Sequence, residues 1–113
     1  MNAGVQTIIY PVKDLAAAKA LYGPLLGEPL MDQPYYVGYR VAGQDVGLDP
    51  NGHAQGMTGP LSYWHVDDIK GTLGELVAAG ATVRQDVKDV GGGKLIAAVT
   101  DADGNAIGLI QPA

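Results

Sequence analysis

The chain has 113 residues, of which 47% are hydrophobic and 17% charged, with no cysteine and a formal net charge of −5. That is enough for one folded domain with its own core, in the composition range of soluble globular proteins. It excludes a disulfide framework, a thiolate nucleophile and a cysteine-ligated zinc, and the acidic balance lacks the basic patch that a nucleic-acid partner requires.

Met1-Asn-Ala-Gly-Val-Gln opens without a basic or apolar leader, so no secretory signal is expected. No apolar run approaches the ~20 residues of a membrane span, so no membrane partner is expected and a cytoplasmic location is the default. Residues 5–12 are rich in β-formers and alternate, placing Thr7, Ile9 and Pro11 on one face and Ile8, Tyr10 and Val12 on the other. Asp14 is a good N-cap for a helix with apolar positions Leu15, Ala18, Tyr22, Leu25 and Leu26. Pro24 cannot donate to Ala20, which predicts a kink or break near Gly23, and Gly27 suits a left-handed cap. Short strands are expected near residues 30–33, 35–41 and 45–49, the last two joined by the turn Ala42-Gly43-Gln44. Residues 51–60 are polar and glycine-rich and read as a linker rather than a lid.

The second half repeats this plan. Leu61 to Val66 reads as a strand. Asp67 or Asp68 then caps a helix with Ile69, Leu73, Leu76 and Val77 inward, and Gly80 ends it. Strands are expected over 81–90 and 94–100 around Gly91-Gly92-Gly93, and over 106–110 after the tight turn at 101–105. Thr7 and Leu61 are 54 residues apart, as are Asp14 and Asp68, while Gly47 and Gly108 are 61 apart. Two copies of one supersecondary unit in fixed order indicate an α+β fold of two tandem βαβββ modules, 5–50 and 61–111, within a single domain spanning 1–113.

These residues resemble the vicinal-oxygen-chelate superfamily, which includes glyoxalases, bleomycin resistance proteins and extradiol dioxygenases. The resemblance rests on Val12-Lys-Asp-Leu15 with Tyr22 and Gly27, on His65-Val-Asp-Asp-Ile69 with Ala79-Gly80-Ala81, and on Asp101-Ala-Asp-Gly-Asn-Ala-Ile-Gly-Leu-Ile110. It implies curled mixed sheets around a central pocket. It further implies that metal-dependent members carry ligands on the first and last strands of each half, positions that fall here on Thr7, Gly47, Leu61 and Gly108. A threonine hydroxyl is a weak neutral donor, leucine has none, and glycine offers only backbone. Asp49 lies two residues along from Gly47, one full pleat away. No metal and no other cofactor is therefore expected, and glyoxalase or dioxygenase chemistry is placed in doubt.

Without ligand side chains, Gly47 and Gly108 are expected to leave open space on the pocket face. In the register implied by the resemblance, Leu61, Tyr63 and His65 face the pocket, with Ser62, Trp64 and Val66 against the helix; Thr7, Ile9 and Pro11 line the opposite wall. Trp64 reads as a core residue beneath that helix. Tyr35, Tyr36 and Tyr39 add aromatic surface in a chain without phenylalanine, and Tyr35 and Tyr39 are taken as candidate contacts. The candidate ligand-binding set is Thr7, Ile9, Tyr35, Tyr39, Gly47, Asp49, Leu61, Tyr63, His65 and Gly108, with no catalytic residue assigned. Gly91-Gly-Gly-Lys94 lacks the remainder of a P-loop, and Asp101-x-Asp103-Gly104 reads as turn chemistry rather than a calcium loop.

Two functions are compatible with this reading. One is metal-independent binding of a small aromatic or planar molecule, including drug or antibiotic sequestration. The other is a metal-independent lyase or isomerase using His65, Asp49 or Tyr63 as acid or base. A homodimer is expected, since pairing of halves closes the pocket in the family and removes open sheet edges.

Overall fold

The computed structural model describes residues 2–113, Asn2 by its backbone alone; the reading at Met1 lies outside them. Contacts divide the described residues into two compact units, residues 7–61 and residues 62–113, with residues 2–6 grouped with the second.

The first module runs β1 (Asn2–Pro11), α1 (Leu15–Leu26), β2 (Met31–Gln33), β3 (Tyr36–Val41) and β4 (Gln44–Asp49). Its strands lie in the order β2-β3-β4-β1, with β1 parallel to β4 and the other pairs antiparallel. The second module runs β5 (Leu61–Val66), α2 (Ile69–Ala78), β6 (Thr82–Asp89), β7 (Leu95–Thr100) and β8 (Ala106–Gln111). Its order is β5-β8-β7-β6, with β5 parallel to β8 and the rest antiparallel. Both halves are thus βαβββ units with mixed sheets, and the fold is α+β.

The repeat extends to register. Ile9 pairs with Gly47 and Gly47 with Gly38 in the first module; Tyr63 pairs with Gly108 and Gly108 with Ala98 in the second. Each helix covers one face of its own sheet. Beneath α1, Ala18, Val37, Tyr39 and Leu48 are buried, with Tyr10, Val12, Leu15, Tyr22, Leu26 and Val46 packed on them. Beneath α2, Val66, Ile69, Ala97 and Leu109 play the same part, with Leu73, Leu76, Val87 and Leu95 around them. Burying apolar surface at roughly 25 cal/mol per Å² is what holds each helix to its sheet.

Both helices start as the sequence implies. Asp14 accepts from the Ala17 amide at 3.0 Å and Asp68, rather than Asp67, accepts from Gly71 at 3.1 Å. Of the expected kink or break near Gly23, the break does not occur: α1 runs unbroken through Pro24. Proline there removes one hydrogen bond in the last turn, and Gly23 before it has no Cβ to clash with the proline ring. Gly27 ends the helix at φ 84°, ψ −151°, a glycine conformation but outside the left-handed helical well. Two apolar helix positions face solvent instead of the core: Leu25 is 75% and Val77 44% exposed. Each stands beside a core residue, Leu26 or Leu76, and neighbours on a helix point about 100° apart.

Between β3 and β4 the turn is the two-residue pair Ala42-Gly43, with φ of 51° and 82°, the mirror-image geometry that matches strand twist. The linker winds through a single 3-10 turn, His53–Gln55. It is anchored on β1: a Cβ at Gly52 would come within 2.7 Å of the Pro11 Cβ and 3.0 Å of the Met57 sulfur.

Candidate functional site

Strand alternation leaves each sheet with a face turned away from its helix. In the first module the core takes Val37, Tyr39, Val46, Leu48 and Tyr10. The opposite face therefore carries Thr7 and Ile9 from β1, Gly47 and Asp49 from β4, and Tyr36, Gly38 and Arg40 from β3. In the second module it carries Tyr63 and His65 from β5, Gly108 and Ile110 from β8, and Ala98 from β7.

The expected open space at Gly47 and Gly108 is not there. A Cβ at Gly47 would fall on the Tyr36 hydroxyl and within 2.7 Å of its Cε1, and one at Gly38 would lie 3.1 Å from Cε2 of the same ring. A Cβ at Gly108 would meet Tyr63 Cδ1 at 2.7 Å and the Ser62 carbonyl oxygen at 2.8 Å. In both halves the glycine makes room for a tyrosine ring laid on the sheet. The space is filled, and the filling is aromatic.

The candidate residues separate accordingly. Tyr63 and Gly108 are brought together, as registered partners. Thr7 and Leu61 are buried, Ile9 and His65 half-buried. Thr7, Tyr36, Tyr63, His65 and Asp67 all have interaction partners. Asp49 is half-buried, but its Oδ1 accepts from the Asn51 amide at 2.8 Å and its carbonyl accepts from Val12 at 3.0 Å, so it closes the turn after β4. Tyr39 is a correction: it is 3% exposed in the core beneath α1, on the face opposite Gly47. Tyr35 lies in the turn before β3 and is 58% exposed. The ring that reaches the site is Tyr36. Alternation could have found it, because Val37 and Tyr39 form the apolar pair and leave Tyr36, Gly38 and Arg40 on the other side. Trp64, expected in the core, is 39% exposed; α2 begins at Ile69 and packs on Val66 at the far end of β5.

The four positions that the resemblance assigns to metal ligands do not suit a metal. Thr7 contributes a hydroxyl in one module and Leu61 nothing in the other, and the glycines have their side-chain volume taken by phenol rings. Among the described residues no three His, Asp or Glu side chains gather as a ligand set. No described helix is long and apolar enough to cross a membrane. A shallow groove of about 460 Å³ lies beside α1 and β2, lined in part by the Lys19–Asp32 ion pair.

Several solved structures share the fold. A glyoxalase/bleomycin resistance protein/dioxygenase superfamily member from Vibrio splendidus aligns at TM-score 0.68 and 19% identity, covering 99% of this chain and 100% of that one. A methylmalonyl-CoA epimerase from Mycobacterium tuberculosis aligns at 0.68 and 17%, covering 99% and 89%. The Mn(II)-bound glyoxalase from Novosphingobium aromaticivorans aligns at 0.70 and 19%, covering 98% of this chain and 40% of that chain. At such identities the likeness is one of fold. No curated protein matches the chain in sequence. The family comparison is more direct, for it matches residues 4–109 and so takes in both repeats: this chain belongs to the Glyoxalase/Bleomycin resistance protein/Dioxygenase superfamily.

Proposed function

We propose that this protein binds a small, flat, conjugated molecule without a metal, on a helix-free sheet face where a tyrosine lies over a glycine, as Tyr36 does over Gly47 in one module and Tyr63 over Gly108 in the other. The observation that carries this reading is the substitution repeated in both modules: where acidic ligands would project, glycine stands beneath a tyrosine ring. An aromatic ring offers broad contact area with a polar tip, and such surfaces recognise planar ligands by stacking. Sequestration of a drug or antibiotic is one use such a site supports. Acid–base catalysis has less behind it, since the Asp49 carboxylate is engaged in a turn.

The protein acts in the cytoplasm as a homodimer in this proposal. Light scattering at micromolar concentration should give about twice the 11.6 kDa chain mass, and a species of chain mass alone would reject the dimer. For the site, protein purified from its own host is dialysed and submitted to elemental analysis and native mass spectrometry. The expected result is no stoichiometric divalent metal and a bound molecule of conjugated structure. Stoichiometric zinc, nickel, manganese or iron held by the protein would overturn the reading.

A further inference from the structure

The solvent side of α1 carries no polar side chain. Its exposed residues are Ala16, Ala17, Ala20, Leu21, Pro24 and Leu25, while its one charge, Lys19, is half-buried and paired with Asp32 at 2.7 Å. From Ala17 to Leu25 these positions recur every three or four residues, the spacing of a single helix stripe. It is separate from the stripe that α1 turns to its own sheet, where Leu15, Ala18, Tyr22 and Leu26 pack. Local folding does not require it. Where α1 has Ala16 and Leu21, the repeat puts Lys70 and Glu75 in α2, both exposed. A helix in this place tolerates charge at those positions, so the apolar residues of α1 answer to something outside the module.

We propose that this stripe is the surface through which two copies of the chain associate, α1 against α1 and antiparallel about Leu21. The proposal rests on the homodimer put forward above and names its contact. With Leu21 on the two-fold axis, Leu25 of each copy lies beside Ala17 of the other, a large side chain against a small one in an isologous contact. Leu21 and Leu25 are 74% and 75% exposed. With the alanines and Pro24 beside them the stripe offers roughly 500 Å² per copy and about 1,000 Å² in a pair, the size at which specific interfaces begin. Two copies carrying −5 each repel one another, and a face without charge is where that repulsion is least. Tyr36 and Gly47 lie on the other face of the sheet that α1 covers, so the pair leaves that face open.

The chain has no cysteine, so a single introduced one reports the contact cleanly. Leu21→Cys and, on exposed α2 surface, Val77→Cys are oxidised with copper phenanthroline at micromolar concentration and run on a non-reducing gel. Leu21→Cys should cross-link to a dimer and Val77→Cys should not. In ultracentrifugation Leu21→Glu, which copies Glu75, should raise the dimer dissociation constant about 100-fold or more, because two carboxylates then meet at the axis. Val77→Glu, equal in charge, should leave it unchanged, with circular dichroism confirming that every variant is folded. A folded Leu21→Glu that still pairs like wild type, or Val77→Cys cross-linking as readily as Leu21→Cys, would overturn the contact and leave the homodimer standing. Wild type at chain mass throughout would overturn both. If that monomer floats with phosphatidylcholine vesicles and Leu21→Glu does not, the face belongs to a lipid surface instead.

Discussion

The two modules share strand order, register and helix-side packing, yet they arrange their outer faces differently. One transverse row shows it. In the first module the row reads Ile9, Gly47, Gly38; in the second it reads Tyr63, Gly108, Ala98. The covering tyrosine comes diagonally from β3 in the first case and directly from β5 in the second. The core side admits no such freedom, because Leu48 and Leu109 occupy equivalent places at 0% and 2% exposure. Close packing constrains the buried face of a repeat, while the other face can meet one spatial demand in two ways.

The largest effects should come where the modules agree. Leu48→Ala and Leu109→Ala should each cost about 2–5 kcal/mol, the usual range for truncating a buried leucine, read from urea unfolding. If one costs little, the two cores are not equivalent. The glycines should then separate the modules. At Gly108 a Cβ meets backbone, the Ser62 carbonyl oxygen at 2.8 Å, which cannot swing aside. At Gly47 the nearest atoms all belong to the Tyr36 side chain, which can. Gly108→Ala should therefore destabilise by roughly 1–3 kcal/mol, as overpacking does, and Gly47→Ala by less than about 1 kcal/mol. Equal costs would contradict the distinction between a glycine required by backbone and one required by a ring.

Much of this comparison is legible in the sequence, for a physical reason. The 54-residue spacing of Asp14 and Asp68 sets two helix starts, and both carboxylates do cap their helices. The register implied by the resemblance put Val66 against its helix and Tyr63 on the opposite face, and Val66 does pack beneath α2. Side-chain placement across strands was less accessible. That Tyr36 lies over Gly47 depends on β3–β4 register, fixed by the two-residue turn Ala42-Gly43, where a three-residue turn was expected. An empty-looking glycine pair in sequence says nothing of which neighbour fills it. The helix misreadings at Leu25 and Val77 have a related origin, since neighbours on a helix point about 100° apart and here only Leu26 and Leu76 of the two adjacent pairs turn to the sheet.

A smaller asymmetry sits at the helix starts. The Ile69 amide donates to the Gln111 side-chain oxygen at 2.8 Å, tying the first turn of α2 to the end of β8. The equivalent place in the first module, 61 residues earlier, is Pro50, which has no side-chain acceptor. Gln111→Ala should cost about 0.5–1.5 kcal/mol, seen as a lower urea midpoint at unchanged slope. No shift would mean that water replaces the contact freely. Asp14→Ala and Asp68→Ala should cost similar amounts to each other, about 0.5–2 kcal/mol, because both caps have the same geometry.

The smallest expected effect concerns the hairpins and depends on pH. The β7–β8 turn is organised by Asp101, whose Oδ1 accepts from the Asp103 amide at 2.9 Å and the Asn105 amide at 2.8 Å, and whose Oδ2 accepts from Asn105 Nδ2 at 2.9 Å. The Asn105 side chain, then its backbone amide, hold the carboxyl below its usual 3.8, with smaller help from the Asp103 and Gly104 amides. A carboxylate with a lowered folded-state pKa adds stability above the unfolded value, and that stability is lost as pH falls through the folded one. The β3–β4 turn, Ala42-Gly43, contains nothing to titrate, though Arg40 pairs with Asp45 in the flanking strands at 2.9 Å. Asp101→Asn should therefore lower the urea midpoint slightly at neutral pH, and the gap from wild type should close as pH drops below 3.8. Full exposure keeps the effect small, so paired titrations of the two proteins are needed. A gap that stayed constant down to pH about 2 would show that Asn105 and its neighbours read the shape of residue 101 and not its charge.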